Sequence, residues 1–433
     1  MKALKNNLHG SVATFLKALG FLFSIFAVAA FGVMACGGGA DSTAAAASTV
    51  NTVAGNTPIN TVTSVKLVVN EVATGLVNPW SLAFLPDGRM LVTERSGALR
   101  VVSSAGAVSS AITGMPAVNS AGQGGLLDVV LDPAFASNQR IYFTFSENDA
   151  SNVTSAAING TAVARGQLNL ANLSLSNVQV IFRQLPKVAS DAHYGSRLVF
   201  DKTGYLFVTL GDRQSNEQRV FAQDLSRGNG KVMRINAADG SAAPGNPFAS
   251  TANAQAAIWS YGHRNPQGAA LHPRTGDLWV NEHGPQGGDE LNVVLAGKNY
   301  GWPLISYGQE YGTTTQVGEG TAKAGMEQPV STWITRDGSA YAGGKKSSIA
   351  PSGMAIYQGD KFPEFQDNIF LGALAGQALW RVVLGGADGR QEIFRERLLA
   401  ERNERIRDVR VGPDGWLYVL TDGSPGKLLR LVR

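Results

Sequence analysis

One pattern recurs six times along the chain and constrains its fold more than any other feature. An apolar strand is followed by a turn that carries Asp, Gly or Pro, and then by a second strand rich in aromatic and branched residues. The six copies span residues 82–94, 127–145, 198–212, 269–282, 353–374 and 409–422. Turns such as Pro86-Asp87-Gly88 favour hairpins, because glycine accepts a positive φ without strain. The sequence therefore predicts a series of antiparallel hairpins and no long helix.

The spacing of the hairpins indicates how they are arranged. Intervals of roughly 45 to 85 residues leave room for about four strands in each unit. We therefore expect an all-β fold, a six-bladed β-propeller of four-stranded antiparallel blades, over residues 64–433. Residues 65–72 are predicted to complete the sheet of the blade that ends with residues 427–432, since such closure leaves no long exposed edge. A pair of β-sandwiches or a different number of blades is the alternative.

Residues 1–35 have the features of an export signal. Basic residues precede an apolar run, residues 19–33, that is too short to span a membrane comfortably. The run ends in Val33-Met34-Ala35-Cys36, which resembles a bacterial lipobox, where the cysteine is lipidated and becomes the new N-terminus. Ordinary cleavage after an alanine, with an incidental cysteine, is the alternative. Both interpretations predict that the protein leaves the cytoplasm.

Residues 36–63 are predicted to be a flexible tether, because they are rich in Gly, Ala, Ser, Thr and Asn. Cys36 is the only cysteine, so it has no disulfide partner within the chain. We expect a protein of the periplasm that is attached to a membrane through lipidated Cys36. Gly37 provides no acidic retention signal, which favours the outer membrane.

Charge and motif content exclude several classes of function. The formal net charge of +4 falls to +1 when Lys2, Lys5 and Lys17 are removed with the signal, so nucleic acid is not an expected partner. We find no Gly-x-Ser-x-Gly elbow, no Walker loop and no convincing dinucleotide fingerprint. After removal of the signal the chain keeps four histidines, which are His193, His263, His272 and His283. A zinc or iron site built on Cys and His is therefore poorly supported.

The most distinctive segments lie directly before or after the hairpins, where the loops of a propeller line its central mouth. They are residues 123–128, 192–197, 211–213, 261–268, 283–290, 299–303 and 405–408. Taken together, these segments resemble the glucose/sorbosone dehydrogenase family, whose members use pyrroloquinoline quinone (PQQ) on a six-bladed propeller. The resemblance covers roughly residues 70–433. Its most specific parts are His-Arg-Asn-Pro-Gln-Gly, Gly-Pro-Gln-Gly-Gly-Asp-Glu-Leu-Asn and Asn-Tyr-Gly-Trp-Pro.

The expected reaction needs a base. Oxidation of a hemiacetal hydroxyl requires a group that takes the O–H proton and an acceptor for hydride from the same carbon. His193 is the best candidate for the base, because imidazole titrates near neutral pH. The resemblance implies that Asp212 orients this histidine and that Gln123 hydrogen-bonds the sugar. His193 as an ordinary histidine and Gln123 as a turn residue are the alternatives. Ala192 replaces an acid found in some relatives, so the preferred sugar stays open.

PQQ carries three carboxylates and an ortho-quinone, so its site should be cationic. The resemblance places Arg264 and Asn265 beside the quinone, where the positive charge of Arg264 would also stabilise a developing oxyanion during catalysis. Arg405 and Arg407 alternate along a predicted strand and therefore face one side. They match the family's carboxylate-binding arginines, and a solvated pair is the alternative. Ser348 matches a hydroxyl near the cofactor.

Calcium is the expected metal, because it is a hard cation that accepts carbonyl and carboxylate oxygens. The resemblance implies that the carbonyls of Gly284 and Pro285 bind a calcium ion that also contacts the cofactor. It further implies a second, structural calcium held by Glu290 and by the carbonyl of Tyr300. A solvated acidic turn at Asp289 and Glu290 is the alternative.

The chain departs from the family pattern in its fifth blade. The family carries lysine in a Gly-Ala-Leu-Lys stretch, and this chain has Gly-Ala-Leu-Ala, which ends at Ala375. Loss of a charge-assisted contact to a carboxylate weakens binding. Residues 338–346 look like an insertion, and Lys345 or Lys346 is expected to supply the missing charge.

These observations favour a PQQ- and calcium-dependent dehydrogenase that oxidises aldose sugars to lactones and passes electrons to an external acceptor. An aldehyde sugar such as sorbosone is an alternative substrate. A non-catalytic propeller that binds a carbohydrate or a protein is the main rival function, which Ala375 favours and the retained His193, Asp212 and Arg264 oppose. A calcium-dependent lactonase is the second rival, because a fold alone does not determine a reaction.

Overall fold

The computed structural model describes residues 64–149 and 158–433. The export signal, Cys36 and the tether lie outside the described residues. The helices within the described part are short, namely α1 (Phe135–Asn138), α2 (Asn216–Arg219) and the 3-10 helices Val220–Gln223, Pro363–Phe365 and Ala400–Arg402. None of them has the length and apolar character that a membrane span requires.

Strands make up most of the secondary structure in these residues. In chain order they are β1 (Val68–Leu76), β2 (Pro79–Phe84), β3 (Met90–Glu94), β4 (Leu99–Val102), β5 (Leu126–Leu131), β6 (Arg140–Asn148), β7 (Ile158–Asn169), β8 (Ser174–Arg183), β9 (Val188–Ala189), β10 (Leu198–Phe200), β11 (Tyr205–Leu210), β12 (Lys231–Asn236), β13 (Ile258–Tyr261), β14 (Pro266–Leu271), β15 (Leu278–Glu282), β16 (Asp289–Val294), β17 (Ser331–Trp333), β18 (Pro351–Ile356), β19 (Ile369–Ala373), β20 (Ala378–Gly385), β21 (Gln391–Leu398), β22 (Ile406–Val411), β23 (Leu417–Thr421) and β24 (Gly426–Val432).

The strands form six antiparallel sheets, which we number blades 1 to 6 along the chain. Blade 1 is β2-β3-β4, blade 2 is β5-β6-β7-β8, blade 3 is β10-β11-β12-β13, blade 4 is β14-β15-β16-β17, blade 5 is β18-β19-β20-β21 and blade 6 is β22-β23-β24-β1. The first strand of each blade contacts the first strand of the next, and β22 returns to β2. Each predicted hairpin forms the first two strands of its blade. The prediction of a six-bladed propeller is confirmed.

Two blades deviate from four strands. In blade 1 an irregular segment takes the place of the fourth strand. Val108 pairs with Val102 in a single bridge, and the Ile112 N–H donates to the Leu99 carbonyl at 2.8 Å. The segment between them is rich in Ser, Ala and Gly, residues that do not favour extended strands. In blade 2 the short strand β9 adds to the edge of β7.

The two ends of the described chain close the ring. β1 pairs antiparallel with β24, from Val68 opposite Val432 to Leu76 opposite Gly426. The predicted closing strand is therefore present, although it begins at residue 68 and continues to residue 76. This pairing covers an edge that would otherwise template aggregation.

Apolar side chains fill the spaces between neighbouring blades. Between blades 4 and 5, for example, Trp279 and Trp333 pack with Met354 and Trp380, all of them buried. Burial of a large apolar side chain contributes about 1.5–3 kcal/mol each. The blades are thus joined by hydrophobic contacts along their faces, and the axis of the ring is left for polar residues.

At the axis, four charged residues form what we call the axial network: Asp128, Arg197, Asp408 and Arg410. Arg197 Nη1 lies 2.9 Å from Asp128 Oδ1 and 3.3 Å from Asp408 Oδ1. Arg410 lies 3.1 Å from Asp128 and 3.0 Å from Asp408. Both carboxylates are fully buried. The network therefore ties blades 2 and 6 to the start of blade 3.

Backbone groups extend the axial network to two further blades. The Leu82 N–H of blade 1 donates to Asp408 at 3.0 Å, and Arg197 Nε donates to the Gln267 carbonyl of blade 4 at 3.0 Å. The Leu198 N–H donates to the second Asp128 oxygen at 2.7 Å. Buried charges are tolerated only when they are paired and hydrogen-bonded in this way.

We expect Asp128→Ala to lower the free energy of unfolding by about 3–5 kcal/mol, because it leaves two arginines beside an incompletely compensated buried site. Urea unfolding followed by circular dichroism measures the loss. Asp87→Ala is the matched control, since Asp87 pairs with Arg89 at the surface, and its effect should stay within about 0.5 kcal/mol. Equal effects of the two substitutions would contradict a stabilising axial network.

Candidate active site

The candidate site lies at one end of the ring, which we call the mouth. In each hairpin the first strand begins, and the second strand ends, at the same edge of the blade, because the two strands are antiparallel. Repetition around the ring brings these edges together. The segments that carry the expected site residues all precede a first strand or follow a second strand, except residues 299–303.

His193 and Asp212 form a buried pair. His193 Nδ1 lies 2.7 Å from Asp212 Oδ1, and the two residues are 3% and 0% exposed. His193 has a left-handed backbone, with φ of 50°, and its backbone N–H donates to Gln123 Oε1 at 2.9 Å. The structure therefore brings together the three residues expected to act as base, orienting acid and sugar contact.

The surroundings keep His193 neutral and Asp212 ionised. Burial lowers the pKa of His193 below its ordinary value of 6.5, and the charge of Arg264 lowers it further, against the opposing effect of Asp212. Burial would raise the pKa of Asp212, but its interaction with His193, including their hydrogen bond, and the charge of Arg264 outweigh that effect and lower the pKa. A neutral imidazole that donates from Nδ1 to a carboxylate has its lone pair on Nε2, the nitrogen suited to accept a proton.

Arg264 connects blades 3 and 4 within the mouth. Its carbonyl accepts a hydrogen bond from the Asp212 N–H at 2.8 Å. Its Nη1 donates to the Gly284 carbonyl at 2.6 Å, and its Nη2 donates to the Tyr311 hydroxyl at 2.9 Å. The guanidinium is nearly buried, so its charge acts on His193 through a medium of low polarity.

Several buried donors at the mouth find no acceptor among the described residues. They are Arg264 Nε, Asn265 Nδ2 and Arg407 Nε. The other end of the Asn265 amide is engaged, since its Oδ1 accepts from the Gly195 N–H at 3.1 Å. An unsatisfied buried donor costs about 1–3 kcal/mol, so three of them favour a ligand rich in acceptor oxygens.

Arg405 and Arg407 share one carboxylate at the mouth. Both lie within 3.3 Å of Asp422 Oδ2. Arg405 precedes β22 and is exposed, whereas Arg407 is buried and its Nη1 reaches Gln267 Oε1 of blade 4 at 3.0 Å. Burial would raise the pKa of Asp422, but the two arginines outweigh it and lower that pKa. The pair therefore faces one side, as the alternation predicts, and Arg407 is not a solvated residue.

Asp289 ties blade 5 to the turn after β15. Ser348 Oγ donates to Asp289 at 2.7 Å, and the Gly284 N–H donates to the same oxygen at 2.9 Å. The Ile349 N–H donates to the other oxygen at 2.7 Å. Burial raises the pKa of Asp289 to about 6. The alternative of a solvated acidic turn is wrong for Asp289, which is fully buried and fixes the position of Ser348.

Next to Arg264, a cavity of about 10 Å³ lies between Glu282, Glu290, Tyr300 and Gly284. This volume accommodates about one water-sized particle. Burial raises the pKa of Glu290 to about 8, and the neighbouring Glu282 contributes to that rise. A buried carboxylate, Glu282, and a partly buried one, Glu290, repel each other around this small cavity, and that arrangement suits a cation. No group of three or more His, Cys, Asp or Glu side chains converges in the described part of the chain, so a cation here would also need backbone carbonyl ligands.

The expected metal positions at Gly284 and Pro285 are also close to Arg264. The Gly284 carbonyl already accepts from Arg264, but a carbonyl oxygen has two lone pairs and can bind a second partner. Pro285 is buried in the same turn. Calcium binding by the carbonyls of Gly284 and Pro285 therefore stays a prediction.

A second buried chain of polar groups resembles a catalytic triad in connectivity. His263 lies 2.9 Å from Ser260 Oγ through Nε2 and 2.9 Å from Glu282 Oε1 through Nδ1. Ser260 and His263 have no exposed surface. A substrate does not reach this hydroxyl, so the chain of groups links blades 3 and 4 and does not favour hydrolysis.

Comparison with known proteins places the chain in a family. Residues 76–430 match the family model described as glucose / sorbosone dehydrogenase. The chain belongs to the glucose/sorbosone dehydrogenase family.

Individual relatives of the chain support this family assignment. Aldose sugar dehydrogenase YliI of Escherichia coli (strain K12) is 46% identical over 358 residues, which cover 82% of this chain and 90% of the relative. A crystal structure of the soluble aldose sugar dehydrogenase from E. coli in the apo-form superposes with a TM-score of 0.76 at 43% identity, covering 84% of this chain and 99% of that one. The PQQ-bound form of aldose sugar dehydrogenase from Streptomyces coelicolor gives a TM-score of 0.65 at 29% identity, covering 85% and 98%.

The position of the family's missing lysine lies at the mouth. The Ala375 N–H donates to the Ile349 carbonyl at 2.9 Å, directly beside Ser348. Lys346 Nζ donates to the Tyr307 carbonyl in a loop of blade 4 at 2.5 Å, whereas Lys345 is exposed. Of the two lysines expected to replace the lost charge, Lys346 is thus engaged elsewhere.

Sequence reasoning missed three residues at the mouth. Arg95 donates to the Gly124 carbonyl at 3.1 Å, Glu282 lines the small cavity, and Trp302 Nε1 donates to Asp212 Oδ2 at 2.7 Å. Arg95 could have been found, because polar residues at the end of the second strand recur in several blades. Trp302 lies within a motif already recognised, but nothing local indicates its partner 90 residues away.

We expect Asp212→Asn to lower the pKa of His193 further, because the substitution removes the negative charge that raises it. Since the folded-state pKa lies below 6.5, His193 contributes stability above pH 6.5 that is lost as the pH falls through the folded-state value. An NMR titration of ¹³C-labelled histidine measures the shift. Asp367→Asn is the control, because Asp367 acts on His272. An unchanged His193 pKa in Asp212→Asn would contradict the pairing.

Proposed function

We propose that this chain is a sugar dehydrogenase that oxidises the hemiacetal C1 hydroxyl of aldoses to lactones, using PQQ and calcium. One observation carries the proposal: a neutral, buried imidazole lies beside a cationic mouth whose buried donors lack acceptors. The names of its relatives, which are aldose sugar dehydrogenases, support it. Electrons would pass to an external acceptor.

His193 is the proposed base. Its Nε2 would take the proton of the C1 hydroxyl, and Asp212, held at 2.7 Å from Nδ1, would stabilise the imidazolium that forms. The buried Arg264 charge disfavours that imidazolium in the resting state, so the base is neutral and ready at pH 7. Gln123 Oε1 accepts a hydrogen bond from the backbone N–H of His193. The side-chain amide N–H groups of Gln123 therefore remain for a sugar hydroxyl.

The residues present fit PQQ. Its three carboxylates would meet Arg264, Asn265, Arg405 and Arg407, and Ser348 would lie near it. Guanidinium groups pair well with carboxylates because their donors form a planar fork. When bound, PQQ supplies the acceptor for the hydride. The relative from S. coelicolor is described as PQQ-bound, which supports the same cofactor here.

Calcium is the proposed metal at two positions. The carbonyls of Gly284 and Pro285 would hold one ion near the cofactor, where it would polarise the quinone. Glu290 and the Tyr300 carbonyl would hold a structural ion at the small cavity, with Glu282 nearby. Glu282 and Glu290 both line this cavity, and a cation there would offset the repulsion between the two carboxylates.

Reconstitution of purified protein with PQQ and Ca²⁺, followed by dye reduction with several aldoses, tests the activity. We expect His193→Asn to lower kcat by about 10²- to 10⁴-fold, the usual contribution of a general base. His272→Asn is the matched control, because His272 lies in the turn after β14, at the end of the blade away from the mouth. Dye reduction by His193→Asn at the rate of the control would contradict the role of this base.

The rival functions predict different results in the same assay. A non-catalytic propeller would bind PQQ or a sugar without dye reduction, and that outcome would overturn the proposed activity. A calcium-dependent lactonase would hydrolyse lactones without PQQ. Ser260 is completely buried, so the triad-like chain between blades 3 and 4 offers that reaction no accessible nucleophile.

We expect Ca²⁺ to raise the melting temperature of the protein relative to chelator, and Glu290→Gln to reduce that increase, because the position proposed at the Gly284 and Pro285 carbonyls stays intact. A ligand that binds only the folded state stabilises it, and the substitution removes one negative ligand. Differential scanning calorimetry with EDTA or Ca²⁺ measures both values. Glu319→Gln, at the surface beside Lys323, is the control and should keep the full response. An undiminished response in Glu290→Gln would place calcium elsewhere.

A further inference from the structure

The Asp212 carboxylate is held from two sides. Its Oδ1 accepts from His193 Nδ1 at 2.7 Å and from the Gln214 N–H at 2.8 Å. Its Oδ2 accepts from Trp302 Nε1 at 2.7 Å. Asp212 is fully buried, so these donors replace water around the charge. Each oxygen therefore has its own partner, and the indole serves the oxygen that faces away from the imidazole.

The indole comes from another blade and is firmly placed. The Trp302 N–H donates to the Gly262 carbonyl at 2.9 Å, and the Trp302 carbonyl accepts from Gln223 Nε2 at 2.7 Å. Its ring packs with Ala222 and Val317. Trp302 is thus anchored between the 3-10 helix of blade 3 and the loop after β16, and the ring has little freedom to leave the carboxylate.

Other buried tryptophans show that such a bond is not a general feature of the fold. Nε1 of Trp279, Trp333 and Trp380 is buried without a partner within the described residues. These rings serve as apolar packing between blades. Trp302 differs, because its N–H meets a carboxylate. Its ring also lies under the Arg264 guanidinium, 5.2 Å from the ring centre, much as the ring of Trp333 lies under Arg395 at 4.8 Å.

An indole is suited to this position for a chemical reason. Its N–H only donates, and it neither takes nor loses a proton near neutral pH. It can therefore stabilise the carboxylate without competing for the proton that His193 handles. By withdrawing part of the negative charge from Asp212, it also weakens the pull of that carboxylate toward an imidazolium.

We infer that Trp302 is a positioning residue for the base His193. It fixes the Asp212 carboxylate in the orientation that aligns His193, and it reduces the negative charge that Asp212 presents to the imidazole. The inference rests on the proposed function for its catalytic consequence only, since these hydrogen bonds join side chains of the protein itself. The titratable and charged groups that face His193 are Asp212 and Arg213 of blade 3 and Arg264 and His283 of blade 4. Trp302→Phe keeps all four of these groups and removes the indole donor that contacts Asp212.

The experiment compares Trp302→Phe with Trp333→Phe, which removes an indole N–H that has no hydrogen-bond partner among the described residues. Histidine ¹³C NMR of the apo-protein gives the pKa of His193 without any cofactor. Loss of the donor leaves Asp212 with more of its negative charge, so the His193 pKa should rise by about one pH unit in Trp302→Phe. It should stay unchanged in Trp333→Phe. Circular dichroism establishes that both variants are folded.

A double-mutant cycle separates positioning from general destabilisation. In an Asp212→Asn background, Trp302→Phe should shift the His193 pKa no further, because the indole acts through that carboxylate. In the loaded enzyme the acidic limb of kcat/KM should move to higher pH together with the NMR value, and kcat should fall about tenfold for a lost bond to a charge. A folded Trp302→Phe variant with an unchanged His193 pKa would overturn the inference. If the protein shows no activity with PQQ, the NMR result still decides this inference while the proposed function fails.

Discussion

The axial network is the constraint on which the rest of the structure depends. Six sheets arranged around a ring converge at the axis, where the first strands lie too close for large apolar side chains to fill every position. Asp128 and Asp408 accept hydrogen bonds from arginines and from backbone N–H groups there, and no charge is left without a partner of opposite sign. Because these ion pairs cross between blades that are distant in sequence, they fix the rotation of the blades relative to one another.

The geometry of the mouth follows from that fixed rotation. Arg197, a member of the axial network, lies four residues after His193, and Gln267, whose carbonyl it contacts, lies three residues after Arg264. The loops that carry the base and the cation of the mouth are therefore short extensions of a rigid axis. Such short connections hold side chains within the tolerance that a reacting group needs. This explains how loops of five blades can present their side chains to one site.

Much of the fold could be predicted because its signals are local. Each hairpin carries its own turn residues and its own alternation of apolar side chains, so the six copies predict six blades. The closing strand was also predictable, although its start shifted by three residues. The outer part of blade 1 was not, because residues 103–111 lack strand-forming side chains and follow the edge of β4 only through a few backbone contacts.

Site residues that lie within sequence motifs were predicted. Residues whose role depends on a hydrogen-bond partner distant in the sequence were missed. His193, Asp212, Arg264 and Arg407 converge as expected, whereas their roles rest on the proposed function. Trp302 and Glu282 were missed, because a hydrogen bond across 90 residues or a cavity between two carboxylates has no local pattern. Arg95 was missed although it follows a local pattern, since polar residues recur at the ends of second strands. Burial excludes the alternative of a solvated acidic turn for Asp289, which ties blade 5 to the turn after β15.

The pairing of β1 with β24 has a consequence for biogenesis. Among the described strands β1 is made first and β24 last, so β1 keeps an unpaired edge until the seven-residue strand β24 is made. Until then the unpaired edges of blade 6 are surfaces on which a chaperone or a second nascent chain can act. A change that prevents β24 from pairing would therefore leave most of the blades formed and the ring unable to close.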